Sequence, residues 1–426
     1  FVLQRPIKGA MMVSCACAAP FGAKFFPRTL AIAMRRYSPI RTVVSKSPHL
    51  SLFSSAVHFK DDDDKDEAAA ITKGTFHPSS NNGQSSAASS FLEHNRPRHT
   101  SESEELVEHV AKSIREKVRN YTAQLRIERK ESPLLVGIFA DDDPSAEEFC
   151  ENIAQVCKED GIRYDLRKVE KKESSVEAMI RDANDDPDVT GIQIYYPIFS
   201  DASEKRGPYK NEASGVYFKS HDDYLRNMVS VRCDVEGLSQ ENHYSRYKDS
   251  QYYYVDDQDD PTCMFPCTAL AVVKILEACP DCYDVTMPVG QRFKGKVITI
   301  INRSEIIGRP LAAMLSNDGA TVYSVDVNSI LVFQNGSVRR CHESATTLES
   351  CVKRSSLVVT GVPDPTFRVP LDWIQPNSTV LNVAFVKNVD EEFIDRIPGV
   401  RYIPLIGKVT VAILEQNLIR LHRKFT

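Results

Sequence analysis

The sequence predicts an α/β protein of two domains, and three observations carry that prediction. Between residues 103 and 199, short apolar runs alternate with stretches whose apolar residues fall at helical spacing. The alternation stops for a long polar section, roughly 199–262, and resumes from Lys296 as strand, turn, helix and strand again. Strands separated by helices of this length imply a parallel sheet in each half. A chain of 426 residues has room for two or three domains.

A helix is predicted from Ser103, because Leu106, Val110, Ile114, Val118, Tyr121 and Leu125 share one face. PLLVGIFA (133–140) reads as a strand, and the stretch 144–161, with Pro early and Gly last, as a helix. IRYDLRKVE, SSVEAMIRDAN and VTGIQIYYP continue as strand, helix and strand. The polar section reads as surface loops around a short helix near 219–229, and FPCTALAVVKILEAC (265–279) restores a helical pattern. In the second half VITIIN, ATVYSVDV, SLVVTGVP and TVLNVAFV read as strands, and IIGRPLAAMLSNDG as a helix ending at Gly319. The last segment, VTVAILEQNLIRLHRKF, is helical and ends in basic residues, which favours a helix C-terminus.

Bulk composition narrows the function classes. With 42% hydrophobic and 26% charged residues the chain has a globular balance. A net charge of −5 argues against general nucleic-acid binding. No uninterrupted apolar run reaches about 18 residues, so no membrane span is expected. The eleven cysteines are scattered, as suits a reducing compartment. CPDC (279–282) has the spacing of a zinc or redox pair, but no second pair or His pair joins it; a helix end and turn is the plainer reading, and no metal is expected. Residues 1–60 hold nine Lys or Arg and no Asp or Glu, the composition of an organelle transit peptide, which predicts mitochondrial delivery. Met11, Met12 and Met34 are candidate starts, and a start at Met34 removes most of the basic segment and predicts a cytoplasmic protein. Residues 61–102, beginning in an acidic run and continuing rich in Ser, Asn, Gly and His, read as a disordered linker.

INRSEIIGRP (301–310) lies between a strand and a helix, where α/β proteins hold the phosphates of a nucleotide. Asp326 follows Gly308 by eighteen positions, at the end of the next strand. A carboxylate there accepts hydrogen bonds from both ribose hydroxyls and repels a 2′-phosphate, favouring NAD over NADP. The glycine-rich fingerprint is missing, with Asn302, Arg303 and Ser304 in its place, and an ordinary strand-end Asp is the competing reading.

VITIINRSEIIGRPLAAMLSNDGATVYSVDV resembles the cofactor segment of the methylenetetrahydrofolate dehydrogenase/cyclohydrolase family, closest to its monofunctional NAD-dependent branch. FPCTALAVVKILE is similar to the family's interdomain helix, CDVEG (233–237) to its folate-contacting turn, GIQIYYP to its third-strand motif, and GKVTVAIL (407–414) to its C-terminal glycine turn. The resemblance spans about residues 104–426. It implies an αβα folate-binding domain (103–265), a Rossmann-type NAD-binding domain (266–406) and a C-terminal helix (407–426) packing back on the first domain. It also implies a homodimer acting in one-carbon metabolism, which feeds purine biosynthesis.

The departures from the family pattern predict the chemistry. Where the bifunctional enzymes carry a Tyr and, four residues later, the Lys that supports hydrolysis, this chain has Phe149 and Ile153; Tyr195 matches the family's Gln and Glu236 its second Asp. Removing a hydride from the bridging CH₂ of the folate leaves a cation shared by two nitrogens, so that step requires no general base. It requires the carbon to be held about 3–3.5 Å from the acceptor and is helped by a nearby carboxylate. Hydrolysis of the product needs an activated water and a moved proton, which Phe149 and Ile153 supply neither of.

The resemblance therefore implies roles for individual residues. Glu236 holds the pterin's amino and amide edge, Asp234 shapes the turn, and Cys267 completes the catalytic set without serving as a thiol nucleophile. CDVEG taken alone reads more readily as a surface Asx turn than as a ligand site. Phe149, Ile153, Tyr195, Tyr196 and Gly407 are assigned to the substrate side. Thr268, Asn302, Arg303, Ser304 and Ile307 are assigned to the cofactor, together with Asp326, Val327, Gly361, Val362 and Ala384. An Arg at position 303 is suited to the extra phosphate of NADP, which an NAD enzyme does not need. Two other readings stand beside the first: a bifunctional enzyme hydrolysing with other residues, and a non-catalytic folate- or nucleotide-binding protein.

Overall fold

The structure, a computed structural model, describes residues 98–141, 144–199, 208–239, 264–342 and 346–426. The transit-like segment, the linker up to residue 97 and the QYYYVDDQDD stretch lie outside the described residues. The first domain begins with α1 (Arg98–Ile127), which starts ahead of the predicted Ser103. The apolar stripe reads only the packed face, and polar residues extend the helix without adding to it. Val107, Val110, Ala111, Ile114, Val118 and Leu125 are its buried line. There follow β1 (Leu134–Phe139), α2 (Pro144–Glu159), β2 (Arg163–Lys168), α3 (Glu173–Asp185) and β3 (Val189–Ile194). Pro144 opens α2 because the missing N–H falls where a helix has no internal acceptor. The three strands form a parallel sheet in the order β2-β1-β3.

The polar section holds a small hairpin, β4 (Tyr209–Lys210) and β5 (Tyr217–Phe218), and then α4 (His221–Met228), capped by Ser220. The linking helix α5 (Cys267–Glu277) is apolar over most of its circumference, broken by the part-exposed Thr268, Lys274 and Glu277, and Ala269, Leu270, Ala271, Val272, Val273, Ile275 and Leu276 are each at most 1% exposed. Such a helix has to run through a core.

The second domain contains β6 (Val297–Ile301), α6 (Gly308–Asn317), β7 (Thr321–Asp326), β8 (Ser329–Gln334), β9 (Ser337–Arg340), α7 (Leu348–Val352), β10 (Leu357–Thr360), β11 (Thr379–Asn382) and β12 (Arg401–Ile403). Its sheet runs β12-β11-β10-β6-β7-β8-β9. Strands β6, β7, β10, β11 and β12 are parallel, whereas β8 and β9 add antiparallel to the edge. This hairpin departs from the expected strand–helix alternation. Asn335 and Gly336 both have positive φ (51° and 71°), the two-residue turn that suits strand twist. Only single 3-10 turns, Leu371–Trp373 and Ile394–Arg396, lie between β10, β11 and β12.

The C-terminal helix α8 (Gly407–Phe425) packs along α1. Tyr121 Oη meets His422 Nδ1 at 2.9 Å and Lys408 pairs with Glu108. Asn417 donates to the carbonyls of Val235 (2.9 Å) and Phe265 (3.1 Å), tying α8 to the CDVEG turn and to the entry of α5. One apolar core runs from α1 through α5 and α8 to β6 and α6.

Candidate active site

The CDVEG turn is fastened beside β3 by a bridge between Ile192 and Asp234. Both carboxylate oxygens of Asp234 accept backbone N–H groups, from Leu238 (3.1 Å) and Ser239 (3.0 Å). Gly237 (φ 66°) lets the turn press against the chain entering α5, since a Cβ there would meet Met264 O at 2.8 Å. The next carboxyl, Glu236, accepts only weakly from Ile194 N at 3.2 Å. Burial pushes it up to about 8, with Asp234 nearby acting in the same direction. Glu236 is therefore mostly neutral at pH 7 in the ligand-free protein, not the standing carboxylate the sequence suggests.

Two further polar atoms at the end of β3 are enclosed without a hydrogen-bond partner: the Tyr196 hydroxyl and Gln193 Oε1. A buried polar atom left without a partner is unfavourable, so these two atoms are free to bond a polar ligand edge. The Tyr196 ring faces the Arg226 guanidinium at 5.6 Å. Tyr195 turns the other way. Its hydroxyl meets Tyr164 Oη at 2.7 Å, and its ring packs edge-on to Phe139 (5.9 Å) and Phe149 (6.3 Å). Gly137 makes room for this pair, since a Cβ on it would lie 2.3 Å from Tyr164 Oη. Burial drives the Tyr195 hydroxyl far above the ordinary tyrosine range, so it moves no proton near neutrality.

Three assignments need correction. Ile153 is 1% exposed and lies in the core cluster, because an aliphatic side chain on α2 gains more from packing there than from the cleft. It is not a substrate contact. Cys267 is 9% exposed, its thiol faces Val235 O (3.7 Å), and burial raises it well above the usual thiol value. Asp234 has both oxygens engaged in its own turn. Cys267 and Asp234 thus hold the floor of the site and are not catalytic residues. Thr268 is part-exposed in the first turn of α5, and Gly407 is exposed at the start of α8, with no atom within 4 Å of where a Cβ would stand.

In the second domain the strand order reverses between β6 and β10, and α/β sheets bind ligands at the carboxyl ends of such a pair. Asn302, just past β6, donates to Gly361 O just past β10 at 2.6 Å, and its Oδ1 accepts from Ser304 N at 2.7 Å. Ser304 Oγ accepts from Ile307 N at 3.1 Å. Gly308 is required: a Cβ would stand 1.8 Å from Asn302 O. Val362 is held by Asn388, which accepts its N–H and donates to its carbonyl. Asn382 shapes the turn of Ala384 in the same way.

Asp326 stands half exposed at the end of β7, one oxygen accepting from Val327 N, and Val327 itself is 94% exposed. Arg303 is a further correction. Its side chain is 7% exposed and donates to Ser324 O (2.6 Å), Ser329 O (2.5 Å) and Ser329 Oγ (2.7 Å), with Asp326 at 3.7 Å. The guanidinium braces the β7–β8 hairpin and is not presented to a phosphate. An exposed carboxylate, a tight turn into a helix and a buried arginine together fit a dinucleotide whose ribose carries no 2′-phosphate.

The sequence reading missed Phe385. It follows β11, is 87% exposed, and its ring lies edge-on to Phe149 of the first domain at 5.6 Å. Lys219, ahead of α4, reaches across to Glu305 in the turn after β6 at 2.7 Å. The two domains thus touch through an aromatic contact and through an ion pair. The available signal for Phe385 was an aromatic near the carboxyl end of the TVLNVAFV run, the end of a sheet strand where ligands bind.

Residues 106–207 match the tetrahydrofolate dehydrogenase/cyclohydrolase catalytic domain and residues 266–425 its NAD(P)-binding domain. The methylenetetrahydrofolate dehydrogenase [NAD(+)] of Dictyostelium discoideum is 39% identical over 294 residues, 68% of this chain and 85% of that protein. The protein of the same name from Saccharomyces cerevisiae is 36% identical over 315 residues, 72% and 91% of the two chains. The solved structure of the NAD-dependent 5,10-methylenetetrahydrofolate dehydrogenase from Saccharomyces cerevisiae is 35% identical with a TM-score of 0.62, and the match covers 75% of this chain and 96% of that one. Matched over both domains, and carrying both halves of the site in the same order, the chain belongs to the tetrahydrofolate dehydrogenase/cyclohydrolase family.

Proposed function

We propose that this chain is an NAD-dependent 5,10-methylenetetrahydrofolate dehydrogenase that oxidises its substrate to the methenyl form and does not hydrolyse the product. The observation that carries the second half is the apolar Phe149 beside a Tyr195 whose hydroxyl is held by Tyr164, with Ile153 packed into the core behind them and no ionisable side chain at either of those α2 positions. The nicotinamide dinucleotide, when bound, supplies the hydride acceptor. The protein's part is to bind and orient. Glu236, Tyr196 and Gln193 offer polar atoms to the pterin edge, and Phe149 and Phe385 cover the cleft mouth. Asp326 receives the adenosine ribose, while the turn from Asn302 to Gly308 brings backbone close to the pyrophosphate. The cation left on the folate is stabilised by its own two nitrogens, so no side chain has to take a proton. Hydrolysis would need a group able to activate water, and Phe149 and Tyr195 offer none. The test is product identity: methenyltetrahydrofolate and NADH formed one for one support the proposal, and enzyme-dependent formation of formyltetrahydrofolate refutes it.

Two further readings belong to the same proposal. The edge strand β9 is exposed along its length, with Val338 53% exposed, which supports a homodimer formed through the cofactor domains. Light scattering on the purified chain tests it. Nine basic and no acidic residues in the first 60 support mitochondrial delivery. N-terminal sequencing of protein recovered from fractionated cells tests that reading.

A further inference from the structure

The CPDC segment, far along α5 from the cleft, has no part in the proposed reaction. Cys282 N donates to Cys279 O at 2.9 Å, a closed turn with Pro280 and Asp281 at its centre. Such a turn holds its end Cα atoms within about 7 Å, and disulfides span about 4.4–6.8 Å between Cα atoms. The two thiols are close enough for each to shift the other's titration. Cys282 Sγ also lies 3.2 Å from Thr379 Oγ1 and lines a cavity of about 50 Å³ with Lys296 and with Asp281 and Asn377, which are both exposed. A cavity that size admits molecules little larger than water. Arg401 pairs with the Asp281 side chain at 3.3 Å, and Lys296 donates to the Asp281 carbonyl, so two cations brace the turn.

We propose that Cys279 and Cys282 form a dithiol that small hydroperoxides oxidise to an intramolecular disulfide, with Cys282 as the attacking and Cys279 as the resolving sulfur. Cys282 sulfur attacks one peroxide oxygen: the S–O bond forms, the O–O bond breaks, and the departing hydroxide leaves as water with the thiol's proton. Cys279 sulfur then attacks Cys282 sulfur: the S–S bond forms, the S–O bond breaks, and a second water leaves with the Cys279 proton. Two thiols lose two electrons in total, and hydrogen peroxide becomes two waters. The geometry selects Cys282: both thiols are buried, at 5% exposure for Cys282 and 1% for Cys279, but only Cys282 of the two lines the cavity, with Lys296 beside it. Thr379, Arg401 and Lys296 act on its thiol in the direction that favours the thiolate, whereas Cys150, Cys157, Cys233, Cys267 and Cys351 are pushed up by burial. Among the described residues no group of three metal-ligating side chains includes the pair, which favours thiol chemistry over a metal.

The test treats the full chain with hydrogen peroxide at a low molar excess, blocks remaining thiols under denaturing conditions, and maps the peptides by mass spectrometry. The proposal expects a 279–282 disulfide, reversed by dithiothreitol, before any other described cysteine reacts. In Cys279→Ser, oxidation stops at a Cys282 sulfenic acid that dimedone captures, whereas Cys282→Ser gives far less label at Cys279. Reduced Cys279 and Cys282 in wild-type protein whose Cys341 is already oxidised would overturn it. Equal dimedone capture in the two variants would overturn the assignment of the attacking sulfur.

Discussion

Replacing Glu236 with Gln probes the floor of the folate site through its pH dependence. In the ligand-free protein the carboxyl is pushed up to about 8 by burial. At that value about one molecule in ten is ionised at pH 7 and about nine in ten at pH 9. The pterin edge presents N–H donors, so it binds the carboxylate in preference to the acid. The sign follows: binding draws a proton off Glu236, and kcat/KM for the folate rises as pH climbs toward 8, roughly tenfold per pH unit well below it, then levels. Glu236→Gln removes the titration and the charge-assisted hydrogen bonds. Those bonds are each worth about 1.5–3 kcal/mol, so the variant falls roughly 10- to 150-fold below wild type at pH 9. At pH 6.5 wild-type Glu236 is itself nearly all neutral, and the gap narrows by more than tenfold. The assay is initial-rate NADH formation at limiting folate and saturating NAD from pH 6.5 to 9. A wild-type profile that is flat over this range, or a Glu236→Gln deficit that is constant with pH, refutes the reasoning. Stability runs the opposite way with pH. A carboxyl raised above its unfolded value favours the fold below about 4.5, and that contribution is lost as pH rises through about 8.

Asp326→Ser removes the ribose acceptor and the repulsion of a 2′-phosphate; kcat/KM for NAD should fall roughly 10- to 100-fold while that for NADP rises, and unchanged NAD kinetics would remove this account of cofactor choice. Gly308→Ala places a methyl where Asn302 O already lies, so about 3 kcal/mol of strain is expected, read as a lower Tm and weaker NAD binding; wild-type values in both would contradict the close turn. Phe385→Ala removes the edge-on contact with Phe149, worth about 0.5–1.5 kcal/mol, and should raise folate KM roughly 2- to 10-fold with little change in NAD KM; the opposite pattern would place Phe385 on the cofactor side.

Some of this protein is readable from residue order alone. The largely apolar α5 and the stripe on α1 state their burial in their spacing. The turn from Asn302 to Gly308 and the carboxylate of Asp326 emerge from the strand–helix–strand order without a glycine fingerprint. Other features depend on which way side chains turn once packed. Arg303 reads as a phosphate ligand until the β7–β8 hairpin brings Ser324 and Ser329 around its guanidinium. The adjoining β8–β9 hairpin does carry a local signal, the Asn335-Gly336 turn between its strands. Ile153 has the right register for the cleft but is drawn into the core, and the Tyr164–Tyr195 hydroxyl pair exists only because β2 and β3 flank Gly137 on β1. The contact between Phe149 and Phe385 joins residues far apart in the chain, which no periodicity encodes.

We propose, above all, that this pocket removes a hydride but does not hydrolyse what remains. Methenyltetrahydrofolate supplied directly, with and without enzyme, tests it most simply. The account predicts that the rate of formyltetrahydrofolate appearance is the same in both, while the same preparation makes NADH steadily from methylenetetrahydrofolate. Acceleration of hydrolysis in proportion to enzyme concentration would contradict it.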